Sequence, residues 1–357
     1  MAYKIDWQNL ETTFPYVPAM KECIQDGIYH AEGDVWTHTK MVLNEVNTRY
    51  PNNLTLQLAA LYHDITKPAT RIVEFVKEQN RDVVRHPKHA TKSAEKMWFD
   101  LWQDHTIDLS IRLEAYFIIM WHQKVFHMWE NEDMIRAANK YACMANWENL
   151  INFAVCDNAG RFNSEKQKTE DNLNLLSQWI KENNIGQFPN DHARLFYFEK
   201  EGRDLNYNPP QPSGSDVIIL CGVPASGKDY YIEHSLSSKY QIVSLDAIRE
   251  RLNIKPTENQ SLVVETGFAE AKECLRKKQP FIWNATSVSR LFRRNIISVC
   301  RDYDAYVSIH AFDKPLETIL KQNNQRSRHV PEEVIMRMAR NFEPPTLMEA
   351  HEVKWIN

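Results

Sequence analysis

The sequence has little of what marks a secreted, membrane-spanning or strongly polyionic protein. Its six cysteines, Cys23, Cys143, Cys156, Cys221, Cys274 and Cys300, are scattered without a C-x-x-C pair. That spacing argues against a disulfide framework and against a thiolate zinc site, and leads us to expect a reducing, cytoplasmic compartment. No uninterrupted apolar run is long enough to span a bilayer, so no membrane partner is expected. The opening residues Met1 to Asp6 lack the basic-then-apolar order of a signal peptide. An excess of one charge is missing too: the net charge is -4, with 43% hydrophobic and 25% charged residues. Any contact with nucleic acid must therefore rest on local basic patches. Apart from one Pro-rich segment there is no internal repeat or low-complexity tract.

A chain of 357 residues is long enough for two or three domains. From about Phe14 to Lys200 the apolar positions are helix-spaced, as at Leu54, Leu58 and Leu61, with almost no β-branched alternation. An all-α domain is expected there. Eight of the ten tryptophans precede the Pro-rich segment and read as core. Residues 206–215 combine Pro pairs with Gly and Ser and read as an extended linker. Beyond it, Val217 to Cys221, Gln241 to Leu245, Pro280 to Trp283 and Ala305 to Ala311 read as strands alternating with helices. The expected organisation is a helical domain over 1–205, a linker over 206–215, and an α/β domain with a parallel sheet over 216–357.

The first of these strands runs straight into Gly222-Val-Pro-Ala225-Ser226-Gly227-Lys228, a G-x-x-x-x-G-K pattern. Its glycines let successive backbone N–H groups turn around phosphate oxygens, and its lysine neutralises the β and γ phosphates. A mere turn between strand and helix would need the glycines but not the lysine. The Ser or Thr that normally ligates magnesium after the lysine is here Asp229. ATP and magnesium are the expected cofactors, with Asp229 binding the ion directly or through water. Downstream, Asp246 stands at the end of a predicted strand with Arg249 one helical turn later. A carboxylate there could accept a proton in phosphoryl transfer while the arginine holds an acceptor phosphate; an N-cap aspartate and a surface arginine are an equally good reading.

In the helical half, His63-Asp64 closes an apolar helical stretch and is joined by His38, His89, His122 and Asp157. Imidazole and carboxylate are the groups that hold transition metals in hydrolytic sites. The order H…HD…H…H…D resembles the HD superfamily of metal-dependent phosphohydrolases, from about Gly33 to Arg161. The resemblance implies that His38, His63, Asp64 and Asp157 hold one metal, manganese or a similar ion, and that His89 and His122, with Asp64 bridging, hold a second. It further implies Asp64-dependent phosphoester hydrolysis, with Lys67, Thr70 and Arg161 at the substrate phosphate; for these three a solvated or structural charge or hydroxyl is an equally good reading. Thr66 stands where relatives commonly carry Gly, which puts the geometry of Lys67 in question. His30 and His86 are conceivable supports for the ligands.

The second half resembles the P-loop polynucleotide 5′-hydroxyl kinases, over about Asp216 to Val353. The resemblance implies Lys228 on the phosphates, Asp246 as base, Arg249 on the acceptor phosphate, and a lid whose Arg326 or Arg328 stabilises the transferring phosphoryl group. Asn284 stands where many relatives have Asp and is expected only to position. Arg290, Arg293 and Arg294 form a basic cluster suited to a phosphodiester backbone, with Arg293 the chosen contact; such clusters are also common as solvated helix faces. The two halves together resemble the HD-Pnk family, which implies hydrolysis of a 2′,3′-cyclic phosphate or a 2′- or 3′-phosphate, and ATP-dependent phosphorylation of a 5′-hydroxyl. RNA or DNA ends would be the substrates and a nucleic-acid ligase the downstream partner. Two alternatives stay open: an HD nucleotidase fused to a small-molecule kinase, and a nucleotide-gated binding module with a decayed HD domain.

Overall fold

The computed structural model describes residues 4–236, 238–326 and 329–357, the side chain of Asp104 excepted. The chain divides into two compact units, Met1–Gln187 and Phe188–Asn357.

The first unit is mostly helical. It runs through α1 (Leu10–Thr13), α2 (Val17–Glu22), α3 (Val35–Arg49), α4 (Leu54–Tyr62), α5 (Lys67–Thr70), the strands β1 (Ile72–Val76) and β2 (Arg81–Arg85), then α6 (His89–Asp104), α7 (Leu109–Phe126), α8 (Met134–Ala142), α9 (Trp147–Ala159) and α10 (Lys166–Glu182). Side-chain caps begin the helices that matter most. The Asp34 carboxylate accepts from Thr37 N at 2.9 Å to start α3, and Asn53 and Asn146 do the same for α4 and α9. Helices α3, α4, α7 and α9 pack on one another, and α6 packs on α7. Their contact faces bury Val42, Val46, Leu58, Ile118, Leu150 and Phe153 almost completely. Polar groups carried into this core are thereby cut off from water.

The expectation of an all-α domain is corrected by the β1–β2 hairpin, which pairs antiparallel from Ile72↔Arg85 to Val76↔Arg81. Its turn uses Asn80 at φ +47°, a left-handed position that asparagine tolerates. Asp26 ties the hairpin down, accepting from Arg81 at 2.7 Å and from Val84 N at 3.3 Å. Only five residues long, each strand was overshadowed by the helical periodicity on either side.

The second unit runs through α11 (Asp191–Glu199), β3 (Asp216–Cys221), α12 (Lys228–Ser235), β4 (Gln241–Ser244), α13 (Leu245–Arg251), α14 (Ser261–Arg276), β5 (Phe281–Asn284), α15 (Arg290–Asp302), β6 (Tyr306–Phe312), α16 (Leu316–Gln325), α17 (Glu332–Arg340) and β7 (Glu352–Ile356). Its five strands lie in the order β4-β5-β3-β6-β7 and every neighbouring pair is parallel. Strand β3 is central and, past Asp216, buried throughout, as a strand covered on both faces must be. Tyr231 of α12 packs against Ile218, Leu220, Ile282 and Phe312 on one face of the sheet. The four expected strands are present, and β7 adds an edge that the sequence reading lacked.

The division between units falls ahead of residues 206–215, the expected linker. Helix α11 belongs with the sheet because Arg194 donates to the carbonyls of Leu347, Ala350 and His351 beside β7. The end of the Pro-rich segment is held as well: Ser213 N and Gly214 N donate to Asp304, and Ser215 O accepts from Tyr306 N at the start of β6. No helix among the described residues is long and apolar enough to cross a membrane.

Candidate active sites

In the helical unit four helices and one turn deliver six polar side chains to a buried centre. His38 comes from α3, His63 and Asp64 from the end of α4, His89 from the first turn of α6, His122 from α7 and Asp157 from α9. None is more than 3% exposed. His38 Nε2 lies 3.3 Å from His63 Nε2 and 3.1 Å from Asp157 Oδ1. Asp64 sits between two groups: Oδ2 is 3.2 Å from His63 Nε2 and 3.7 Å from His38 Nε2, while Oδ1 is 3.2 Å from His89 Nε2 and 4.0 Å from His122 Nε2. The ligand atoms of His38, His63 and Asp157 form one compact set, and those of Asp64, His89 and His122 another. All six residues singled out in the sequence are thus brought together.

Each ring is fixed from behind. The Nδ1–H of His63 donates to Ala60 O at 2.9 Å, that of His89 to His86 O at 2.7 Å, that of His122 to Ile119 O at 2.7 Å and that of His38 to Gly160 O at 3.1 Å. A carbonyl can only accept, so each ring carries a proton on Nδ1 and turns its Nε2 to the centre. This is the tautomer of a histidine ligand whose second nitrogen is held by a neighbour. Gly160 is needed at its place: a Cβ there would lie 2.8 Å from Val42 N, so any other residue would push the end of α9 off α3.

The centre attracts positive charge. Burial by itself would raise the Asp64 and Asp157 carboxyls, but His63 and Lys67 around Asp64, and Arg161 and His38 around Asp157, hold both well below the carboxylate range. Burial opposes the charge on His38 as well, yet Asp157 and Glu32 raise its affinity for a proton. Burial and the neighbouring His63 and His89 push His122 down to about 3, which keeps it neutral, the ligating form. Asp64 Oδ1 and His89 Nε2 are buried without a hydrogen-bond partner among the described residues. Donors of these types in compact sets are the kind that could hold one or two divalent transition ions.

The surrounding residues divide. Lys67 Nζ lies 2.7 Å from Asp64 Oδ2 and 2.6 Å from Gln25 Oε1, pointing into the centre. Arg161 clamps Asp157 through contacts of 2.5 and 3.1 Å. The Thr70 hydroxyl donates to Thr66 O at 3.0 Å within the turn, the structural partner that the second reading of this residue expects. Thr66 has φ -100°, so nothing there calls for glycine, and its hydroxyl binds His89 O at 2.9 Å. Glu32 was missed. Its Oε1 accepts from His38 Nδ1 at 3.1 Å and His30 Nδ1 at 2.7 Å, and its Oε2 accepts from Phe162 N at 3.0 Å. A lone glutamate six residues before a histidine carries no helix-period signal; only the neighbouring His30 hinted at it. His86 donates to Lys67 O at 2.9 Å and so supports the lysine backbone.

In the α/β unit the loop after β3 has the alternating backbone expected of a phosphate cradle. Ala225 takes φ +60° and Gly227 φ +90°, and such reversals turn successive N–H groups to one side. Ala225 accepts a left-handed conformation that glycine would hold without strain. Gly222 N donates to Thr286 O at 2.8 Å, which fixes the loop against the β5 end. Ser226 Oγ is buried without a hydrogen-bond partner among the described residues. Lys228 Nζ bonds Gly222 O at 3.0 Å and Val223 O at 2.8 Å. Burial lowers its affinity for a proton to about 8, partly offset by Asp229 and Asp246, while Arg326 pushes the same way as burial. The charges of all three therefore reach the lysine. Asp229 and Asn284 are brought together, with Asn284 Nδ2 donating to Asp229 Oδ1 at 2.9 Å.

Asp246 and Arg249 pair with each other at the start of α13, and Arg249 also donates to Gln260 Oε1 at 2.7 Å. The N-cap of α13 is Ser244, so Asp246 is not held as a cap. Arg326 is partly buried at the end of α16; Arg328 lies outside the described residues. The assignment of Arg293 to substrate is corrected. It is fully buried, bonds Glu349 through contacts of 2.7 and 3.1 Å, and donates to Ser287 O and Val288 O at 3.1 Å. No donor of this guanidinium is left facing solvent, so Arg290 and Arg294 stand without it as surface cations.

A family model described as an AAA domain matches residues 217–345. The L-seryl-tRNA(Sec) kinase of Methanococcus maripaludis is 28% identical over 137 residues, which is 36% of this chain and 53% of that protein. Among solved structures, a chain of the Pnkp1/Rnl/Hen1 RNA repair complex is 20% identical over 37% of this chain and 44% of that chain, with a TM-score of 0.33. A gluconokinase from Sinorhizobium meliloti 1021 is 16% identical over 41% of this chain and 83% of that chain, with a TM-score of 0.30. The chain spans about half the length of the curated relative it matches. Together with the glycine loop and the all-parallel sheet, the family match supports a P-loop kinase domain in the C-terminal unit.

Proposed function

We propose that the chain is a two-site enzyme that heals nucleic-acid ends: a metal-dependent phosphoesterase acting on 2′,3′-cyclic phosphates or 2′- or 3′-phosphates, and an ATP-dependent 5′-hydroxyl kinase. The observation that carries the reading is the convergence of four inward-facing Nε2 atoms on Asp64 and Asp157, in a chain that also holds a phosphate loop. Bound by these six residues, divalent ions would activate water and offset charge on the scissile phosphate. Lys67 and Arg161 stand beside the two carboxylates and are the cations available to a phosphate there. In the kinase unit Lys228 leaves the loop carbonyls to hold the ATP phosphates, with Asp229 serving magnesium. Asp246 accepts the proton as the 5′-oxygen attacks the γ-phosphorus and the bond to the ADP oxygen breaks. Arg249 holds the acceptor phosphate, and Arg326 or Arg328 stabilises the phosphoryl group in transfer. The products suit a ligase, the expected partner.

A small-molecule acceptor is the second reading, favoured by the burial of Arg293, which reduces the basic cluster. One experiment separates them. An end-labelled RNA with a 5′-hydroxyl and a 2′,3′-cyclic phosphate is incubated with manganese or magnesium, with and without ATP. We expect ATP-dependent gain at the 5′ end and ATP-independent change at the 3′ end, with Lys228→Ala abolishing only the first and Asp64→Ala only the second. Modification of free nucleosides or nucleotides while both RNA ends stay intact would replace the polymer reading.

A further inference from the structure

On the Asp157 side of its buried centre, the helical unit holds a cleft of about 490 Å3, within the range of small-ligand sites. One wall includes Arg161, whose guanidinium clamps Asp157 and lies 4.9 Å from the Phe126 ring. Tyr29 and Trp129 also line it and are 51% and 43% exposed, although most large aromatics of this unit are buried. The indole of Trp129 is held by an N–H···O bond to Asn172 O at 3.4 Å. Amide side chains of Asn158 and Asn163 share the lining.

A single exposed ring needs no explanation. Two of them around one concavity, with an arginine leading to a cluster of phosphoesterase type, do. Flat aromatic faces bind bases by stacking. With Arg161 accompanied by Glu130 and Glu165 in the lining, the cleft is poorly suited to a polyphosphate chain. We infer that the cleft takes the terminal nucleoside of the substrate, its base against Tyr29 and Trp129 and its phosphate passing Arg161 toward Asp157. The inference rests on the phosphoesterase reading of this unit and names the part of the substrate that the unit recognises.

The test uses the full chain with manganese, assayed on 3′-AMP and on glycerol 2-phosphate, which carries no base. The wild type is expected to prefer 3′-AMP. In Trp129→Ala and Tyr29→Ala the ratio of the two kcat/KM values should fall roughly tenfold or more, mainly through KM, the size expected for losing a stacking surface. Trp129→Phe should restore most of it. A wild type without preference, or alanine variants that keep it, overturns the inference. If neither compound is hydrolysed, it is the phosphoesterase reading that fails. Calorimetric titration with 3′-AMP then decides the cleft by itself: binding lost in Trp129→Ala supports it, and a wild type that does not bind overturns it.

Discussion

Glu32 shows how a side chain that no sequence pattern marked can orient a candidate metal ligand. It holds the outer nitrogen of His38 and is itself held by His30 and the Phe162 N–H. Burial opposes its charge, but the hydrogen bonds from His30 and His38 keep it ionised well below the glutamate range. Replacing it by Ala should leave the His38 ring loosely oriented and weaken manganese binding by about 10–100-fold, the usual cost of losing such a support. Titrating the metal into wild-type and Glu32→Ala protein checks this, and equal affinities would relegate Glu32 to packing. Lys228 makes a prediction of the opposite kind, about pH. Its proton is lost near about 8 rather than the ordinary 10.5. Its folded-state value is lowered, so the cost of holding that charge is present below about pH 8 and disappears as pH rises toward the unfolded value. Nucleotide-free protein should therefore gain stability across that window. ATP needs the protonated form, so its affinity should fall above about pH 8, approaching tenfold per unit. Calorimetric Kd values from about pH 7 to 9 measure it; an affinity that stays level would show that Lys228 is not the phosphate ligand.

At the scale of elements, helix α15 carries the clearest correction. Arg290, Arg293 and Arg294 share a face by spacing alone, which is why they read as one cationic patch. The buried positions of α15 are Arg293, Ile296, Ile297 and Cys300, an i, i+3, i+4, i+7 stripe that already included the arginine. What closes the stripe is Glu349, 56 residues away in sequence, and no local rule points to it. Removing one partner of a buried ion pair leaves the other charge uncompensated, at a cost of about 3–5 kcal/mol. Glu349→Ala should thus lower the unfolding free energy of the α/β unit by that amount in a urea titration. Remaining folded protein should keep its KM for ATP and for the phosphoryl acceptor, whereas a contact residue for substrate would change KM first. The β1–β2 hairpin is a milder case: Ile72 to Val76 and Arg81 to Arg85 have strand-forming residues, but Ile72, Val73 and Phe75 are exposed, so no buried face imposed a legible alternation.

For the whole molecule, two compact units with separate cores predict two unfolding transitions, since small domains unfold as single cooperative blocks. A ligand stabilises only the unit that binds it, by about 2.7 kcal/mol at a hundredfold excess over Kd. Scanning calorimetry should show manganese raising one transition and magnesium with ATP raising the other; a single transition moved by either would mean that the units unfold together. The sequence by itself determined the two-part organisation, the phosphate loop after β3, and the six inward residues of the helical unit. Each of these depends on short-range patterns: residue type, helical period, and the run from strand to glycine turn. Tertiary structure alone decided which partners the polar candidates meet. Glu32 finds His38, Thr66 finds His89, Thr70 turns to its own helix, and Arg293 is spent on Glu349. Buried polar groups must be paired, and their partners are set by how the elements pack, which distance along the chain does not encode.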